Sequence, residues 1–215
     1  MRRLAVLVVL LVLPFPIAAL AGPNAGAAIF VSCGNVTKTT PATCSALHGG
    51  MQCYELAYSV NTQLAPLLSW IAVYVGRELQ PLTSLSGVDF GIQYDPSALY
   101  LPAWTNCGSL EVNGTGWPQP NTGNTVVWTS PQAGYTVLVG YFTVAKYAGY
   151  PTSSYDWVLG PHPLYGTARV TDGSQFDDLR YPAVANLMGI GGGIPCGIDP
   201  VLPATWGQIK EQYRD

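Results

Sequence analysis

The sequence predicts an all-β protein, a single β-sandwich of jelly-roll type with a short helix at its carboxyl end. Three observations carry this. Short apolar stretches, several with a two-residue period, are separated by Gly, Pro and Asn clusters: Asn113-Gly114, Pro118 to Gly123, Gly149 to Pro151, Pro161 to Pro163 and Asp172-Gly173. No stretch before residue 200 carries a helical stripe of three turns. Charged residues make up 10% of the 215, against roughly 25% in an ordinary soluble domain. The surface must therefore be built from Thr, Ser, Asn, Gln, Gly and Tyr.

Residues 1–21 read as a secretory signal peptide. Arg2 and Arg3 precede an apolar run from Leu4 to Leu13, and Ala19-Leu20-Ala21 supplies small residues before a cut. A spanning helix needs roughly 20 apolar residues, and Pro14 and Pro16 stop this run well short of that. The mature chain is expected to begin near Gly22. It should work secreted or at the cell surface, without a stable membrane span once the signal is gone.

Residues 22–199 are assigned to the sandwich. Ala28 to Ser32 suits an edge strand, and Lys38 to Met51 a polar loop. Tyr54, Leu56, Tyr58 and Val60 alternate with more polar neighbours, as a half-buried strand does. Leu67 to Val75 is apolar on both faces and reads as a central strand, although period alone also admits a buried helical segment. Gly87 to Asp95 is the clearest strand: Val88, Phe90, Ile92 and Tyr94 face one way, Asp89, Gly91, Gln93 and Asp95 the other. Asn124 to Ser130 places Val126 and Trp128 on one face. Tyr135 to Tyr147 is a long strand apolar on both faces. Trp157 to Leu159, Tyr165 to Thr171 and Ala183 to Met188 complete the set.

Residues 200–215 form a linker and a short helix. Thr205 and Gln208 fit a capping box, and Trp206, Ile209 and Tyr213 share one helical face. So short a helix does not hold alone in water. The segment is expected to cover a sandwich end, to be read by export or attachment machinery, or to dock a partner.

The five cysteines are Cys33, Cys44, Cys53, Cys107 and Cys196. An exported chain favours disulfides with one thiol left over. Spacing favours Cys44–Cys53, which would close the Gly-rich loop from Ala46 to Gln52, with Cys33 as a rival for either partner. Cys107 and Cys196 could pair only if the fold brought them together.

At Gly87-Val88-Asp89-Phe90-Gly91-Ile92-Gln93-Tyr94-Asp95-Pro96-Ser97-Ala98-Leu99 an alternating strand ends, Asp95 caps one turn, Pro96 takes its first position and Leu99 re-enters the core. This stretch resembles the cohesin-like β-sandwich domains, with their aromatic-x-x-x-Tyr-Asp-Pro-x-x-Leu pattern. Thr125 to Thr129 and Val137 to Lys146 look similar to a later part of that family, so the likeness spans about Leu67 to Ala148. The likeness implies a β-sandwich fold, and the Asp-Pro turn is read, from its own residues, as carrying the chain from one sheet to its partner. The Cys-bearing amino-terminal loop and the ending depart from the family, and dockerin recognition is not carried over. The closing Thr205-Trp206-Gly207-Gln208-Ile209-Lys210 with Tyr213-Arg214 also resembles the tail of a group of uncharacterised secreted bacterial proteins, which implies an exported single domain.

His48 and His162 read as loop residues, and Glu55 and Glu78 show no reason to converge as a glycosidase pair. No nucleophile elbow, zincin helix or phosphate-binding loop occurs, so no catalytic residue is assigned. Asp172, Asp177 and Asp178 in an Asp-Gly turn offer hard oxygen ligands, which makes Ca²⁺ the one cofactor to consider. Net charge is −3, and the lysines (Lys38, Lys146, Lys210) are scattered, which argues against nucleic acid. Trp104, Trp117, Asn121, Tyr150, Tyr155 and Trp157 sit in or beside loops and could stack on and hydrogen-bond a polysaccharide. The expected function is a non-catalytic binding or structural module for an extracellular protein, with carbohydrate binding as the alternative. A row of exposed coplanar rings would favour sugar; a flat, apolar, ring-poor sheet face would favour protein.

Overall fold

The computed structural model describes residues 22–35, 42–47, 69–77, 80–97, 99–146, 156–180 and 184–186. The chain runs β1 (Ala28–Asn35), α1 (Cys44–Leu47), β2 (Ser69–Gly76), β3 (Leu82–Gln93), β4 (Leu99–Asn106), β5 (Leu110–Asn113), β6 (Thr122–Gly134), β7 (Thr136–Lys146), β8 (Asp156–Gly160), β9 (Arg169–Thr171), β10 (Phe176–Asp178) and β11 (Val184–Asn186). The strands form two sheets. The smaller has the order β1-β2-β7-β4, and the larger β10-β9-β3-β6-β5, with β8 pairing the far end of β3 and β11 pairing β8. All these pairings are antiparallel.

The predicted β-sandwich is therefore observed. β1 lies at an edge and β2 inside its sheet, as their sequences suggest. β2 is apolar on both faces because both are covered: Ile71, Ala72, Val73, Tyr74 and Val75 are all fully buried. The alternation in β3 also holds, with Val88, Phe90, Ile92 and Tyr94 buried. The turn after β3 forms as its residues dictate. Asp95 Oδ1 accepts the Ser97 N–H at 2.8 Å, its carbonyl accepts the Leu99 N–H at 3.0 Å, and the chain passes to the other sheet.

Three strands escape a reading by period. β4 contains Pro102, and its register against β7 slips between Tyr100 and Ala103, so no alternation survives. β5 is an edge strand of four residues. β10 bears two carboxylates and forms because β9 offers it a ladder. Conversely, the expected strand from Tyr165 begins only at Arg169; residues 162–167 instead close a tight turn in which the His162 carbonyl accepts the N–H groups of Tyr165 and Gly166. The predicted strand at Tyr54 to Val60 and the helix of Trp206, Ile209 and Tyr213 lie outside the described residues.

The core lies between the sheets. At one end it is aromatic: Phe142 of β7 packs on Trp157 of β8 with ring centroids 4.8 Å apart, and on Trp104 of β4 at 4.5 Å. Phe90 meets Trp104 and Trp117 at 5.9 and 5.6 Å. On the outer face of the smaller sheet, Tyr74 donates its hydroxyl hydrogen to the Leu47 carbonyl at 2.8 Å. Burial pushes its pKa up to about 12.

The disulfide differs from the pairing that spacing favours. Cys44 is bonded to Cys107, their Cα atoms 5.6 Å apart across 63 residues. Thr43 caps α1 through the Ala46 N–H at 3.1 Å, and Cys107 is pinned by its own N–H to the Val139 carbonyl at 3.0 Å. Sheet pairing thus sets the bridge, and nearness along the chain does not. Cys53 and Cys196 lie outside the described residues. Cys33 is a free, buried thiol whose pKa burial drives upward.

Candidate functional site

Among the described residues, Trp104, Trp117 and Trp157 do not line up as an exposed sugar platform. Trp157 is fully buried. Trp104 and Trp117 are half-buried and meet edge-to-face at 5.7 Å, and Trp104 Nε1 donates to Glu111 Oε2 at 2.9 Å. These rings plug one end of the sandwich, because the space between the sheets there needs large apolar volume. Asn121 is exposed, at φ 61°, and its backbone N–H is tied to the Ile92 carbonyl at 2.9 Å. It lines a shallow cavity of about 250 Å³ with Ile92, Gln93, Thr122, Pro161 and Pro163. That lining is mostly apolar and holds no ionisable side chain. Tyr150 and Tyr155 lie outside the described residues.

The described aspartates Asp172, Asp177 and Asp178 do not converge on one point. Asp172 Oδ1 accepts the N–H groups of Ser174 and Gln175 at 2.7 and 2.8 Å and the Ser174 hydroxyl at 2.9 Å. Those bonds, the Gln175 one first, hold its carboxyl below the usual range. Asp177 is buried on the inner side of β10, and Asp178 is exposed on the outer side. A strand points neighbouring side chains to opposite faces, so Asp177 and Asp178 cannot share an ion. Among the described residues, no three His, Cys, Asp or Glu side chains stand together to hold a metal.

What the register does assemble is the outer face of the larger sheet. One row across it runs Phe176, Thr171, Gly87, Val127, Leu110. The adjacent row runs Asp178, Arg169, Asp89, Thr125, Val112. Leu110, Val112 and Phe176 are 59%, 60% and 58% exposed. Five strands at about 4.8 Å spacing make this face about 19 Å wide.

At its centre sits a neutralised charge pair. Asp89 is buried, although alternation alone would leave it to solvent. Arg169 Nε donates to Asp89 Oδ2 at 2.6 Å, and the Thr125 hydroxyl donates to Oδ1. The guanidinium lies over the Tyr165 ring at 3.5 Å and the Phe176 ring at 4.0 Å, where each ring face attracts a cation. His162 packs beside them, its ring 4.7 Å from that of Tyr165 and its Nδ1 accepting the Leu164 N–H at 3.2 Å. Burial lowers its pKa, with Asp89 opposing and Arg169 reinforcing. Period could assign Asp89 to the outer face, but it could not supply the strands β5, β9 and β10 whose pairing builds the rest.

No family model matches the chain, and the search of curated proteins found no match. Similar solved structures are cohesins. One is the cohesin module of a family 33 glycoside hydrolase of Clostridium perfringens, with TM-score 0.44 and 7% identity over 74% of this chain and 95% of that one. Another is a type I cohesin of Pseudobacteroides cellulosolvens, with TM-score 0.44 and 10% identity over 74% and 90%. A third is the sixth cohesin of Acetivibrio cellulolyticus scaffoldin B, solved with a mutant dockerin, with TM-score 0.39 and 10% identity over 72% and 99%. At such scores the architecture rests on the strand pairing itself. Among the described residues, no helix is long and apolar enough to cross a membrane.

Proposed function

We propose that the protein is a non-catalytic module that binds another protein, outside the cytoplasm, through the outer face of the larger sheet. The observation that carries this is the set of exposed apolar side chains on that face: Leu110 and Val112 on β5, beside half-buried Val127, and Phe176 on β10. Its exposed rings are those of Phe176 and Tyr165, and its central charges are already paired. The centre of such a face can lose water against a partner without stranding the Asp89 or Arg169 charge. The polysaccharide alternative has less support, because Trp104, Trp117 and Trp157 spend their ring faces on one another and on Phe90 and Phe142.

A photo-crosslinking residue placed at Val112 tests the reading, with one at exposed Gln119 as the control. In the secreted fraction of the producing cells, position 112 should yield one dominant protein adduct and position 119 none. Leu110→Glu, with the crosslinker kept at position 112, should abolish the adduct while changing stability by no more than about 0.5 kcal/mol, as exposed sites do. Equal labelling from both positions would overturn the proposal. So would saturable glycan binding lost in Trp117→Ala.

A further inference from the structure

Asp177 holds the backbone at the residue where the sequence places the cut. Its Oδ1 accepts the Gly22 N–H at 2.8 Å and its Oδ2 the Asn24 N–H at 3.0 Å. A Cβ on residue 22 would come within 2.3 Å of Oδ2, so the carboxylate fills the space a side chain would need. Residues 22–27 are bound at almost every step. Asn24, fully buried, donates its Nδ2 hydrogen to the Ser84 carbonyl at 2.9 Å. Arg77 donates to the carbonyls of Pro23 and Ala25, and Arg180 to that of Gly26. The Ala25 N–H closes a turn onto the Gly22 carbonyl at 3.1 Å.

Asp177 itself is 9% exposed. Among the described residues, no Lys or Arg pairs with it; the one ion pair is Asp89 with Arg169, on the opposite face of the sheet. Among the described residues, the guanidinium groups of Arg77 and Arg180 reach carbonyl groups of the amino-terminal segment. A carboxylate so removed from water lacks a compensating positive charge. The atom that could supply one is already beside it.

We propose that hydrolysis of the Ala21–Gly22 bond creates an ammonium group at Gly22 that Asp177 binds, latching the amino-terminal segment to the edge strand β10. A signal-cleaving protease adds water across that bond. Hydroxyl goes to the Ala21 carbonyl, hydrogen goes to the Gly22 nitrogen, and the new amine takes up a proton. Before the cut, Gly22 offers Asp177 one neutral N–H. Afterwards it offers three N–H groups and a full charge, and charge-assisted bonds are roughly twice as strong as neutral ones. The partner raises the amine pKa above its ordinary value of about 8. The latch is therefore complete below about pH 8 and lost as pH rises through the raised folded value.

The test uses the full chain exported on its own leader. Intact mass should place the first residue at Gly22, and the Gly22 amine should titrate about one unit or more above its ordinary value. A mature form carrying one extra Ala before Gly22 should melt about 5 °C lower at pH 7. That gap should vanish near pH 10 and in Asp177→Asn. A different first residue, an amine of ordinary titration, or an Ala-extended form of equal stability would each overturn the proposal. Should Asp177→Asn fail to fold, the amine titration and the Ala-extended form decide the question.

Discussion

Arg169 stands at the meeting point of the outer face, salt-bridged to Asp89 and flanked by the rings of Tyr165 and Phe176. Arg169→Ala should cost about 3 kcal/mol in chemical denaturation, because it leaves a buried carboxylate without its cation. Asp89→Asn combined with Arg169→Leu should cost less than the sum of the two changes made singly, since the paired residues are coupled. His162 gives a pH dependence of definite sign. Its folded pKa lies below its unfolded one. Its contribution is therefore neutral above about pH 6.5, and stability falls as acid protonates the unfolded imidazole first. Comparing urea midpoints at pH 7.5 and 5 should show a smaller loss in His162→Gln than in the unsubstituted protein. At this scale the sequence was a partial guide. It identified His162 as a loop residue, but nothing local to Pro161-His162-Pro163 shows that Gly123, by lacking a side chain, makes room for that ring.

Elements were legible where local pattern and tertiary demand agree. Val88, Phe90, Ile92 and Tyr94 alternate because one face of β3 meets the core, and the Asp95-Pro96 turn forms from contacts within five residues. β4, β5 and β10 were illegible because partners far along the chain impose them, as Lys146 to Gly140 does for Leu99 to Asn106. The disulfide misled for the same reason: Cys53 is near Cys44 in sequence, but Cys107 is brought beside it by the β4–β7 ladder. Closing a loop of 63 residues stabilises by about 4 kcal/mol in the chain-entropy description. Cys107→Ala should lower stability by an amount of that order. Reduction of the unsubstituted protein should match it, while native Cys33, buried and with its thiolate disfavoured, should resist alkylation.

For the whole molecule, composition and turn spacing were enough for a two-sheet sandwich, since few charges and frequent Gly and Pro leave little else for an apolar chain to build. The candidate face was not visible in that way. Its members come from five strands whose order in space, β10-β9-β3-β6-β5, differs from their order along the chain. Trp104, Trp117 and Trp157, singled out for ligand contact, are instead part of the bulk between the two sheets at one end.

This ordering in space has a consequence for timing. A polypeptide threaded amino end first delivers Leu110 and Val112 well before Arg169 and Phe176. Until those last residues arrive, the Asp89 carboxylate has no guanidinium, and the wall of the contact surface is missing two of its five ribs. Under the proposed function, a partner that reads the finished surface would ignore half-delivered chains until residue 178 has emerged.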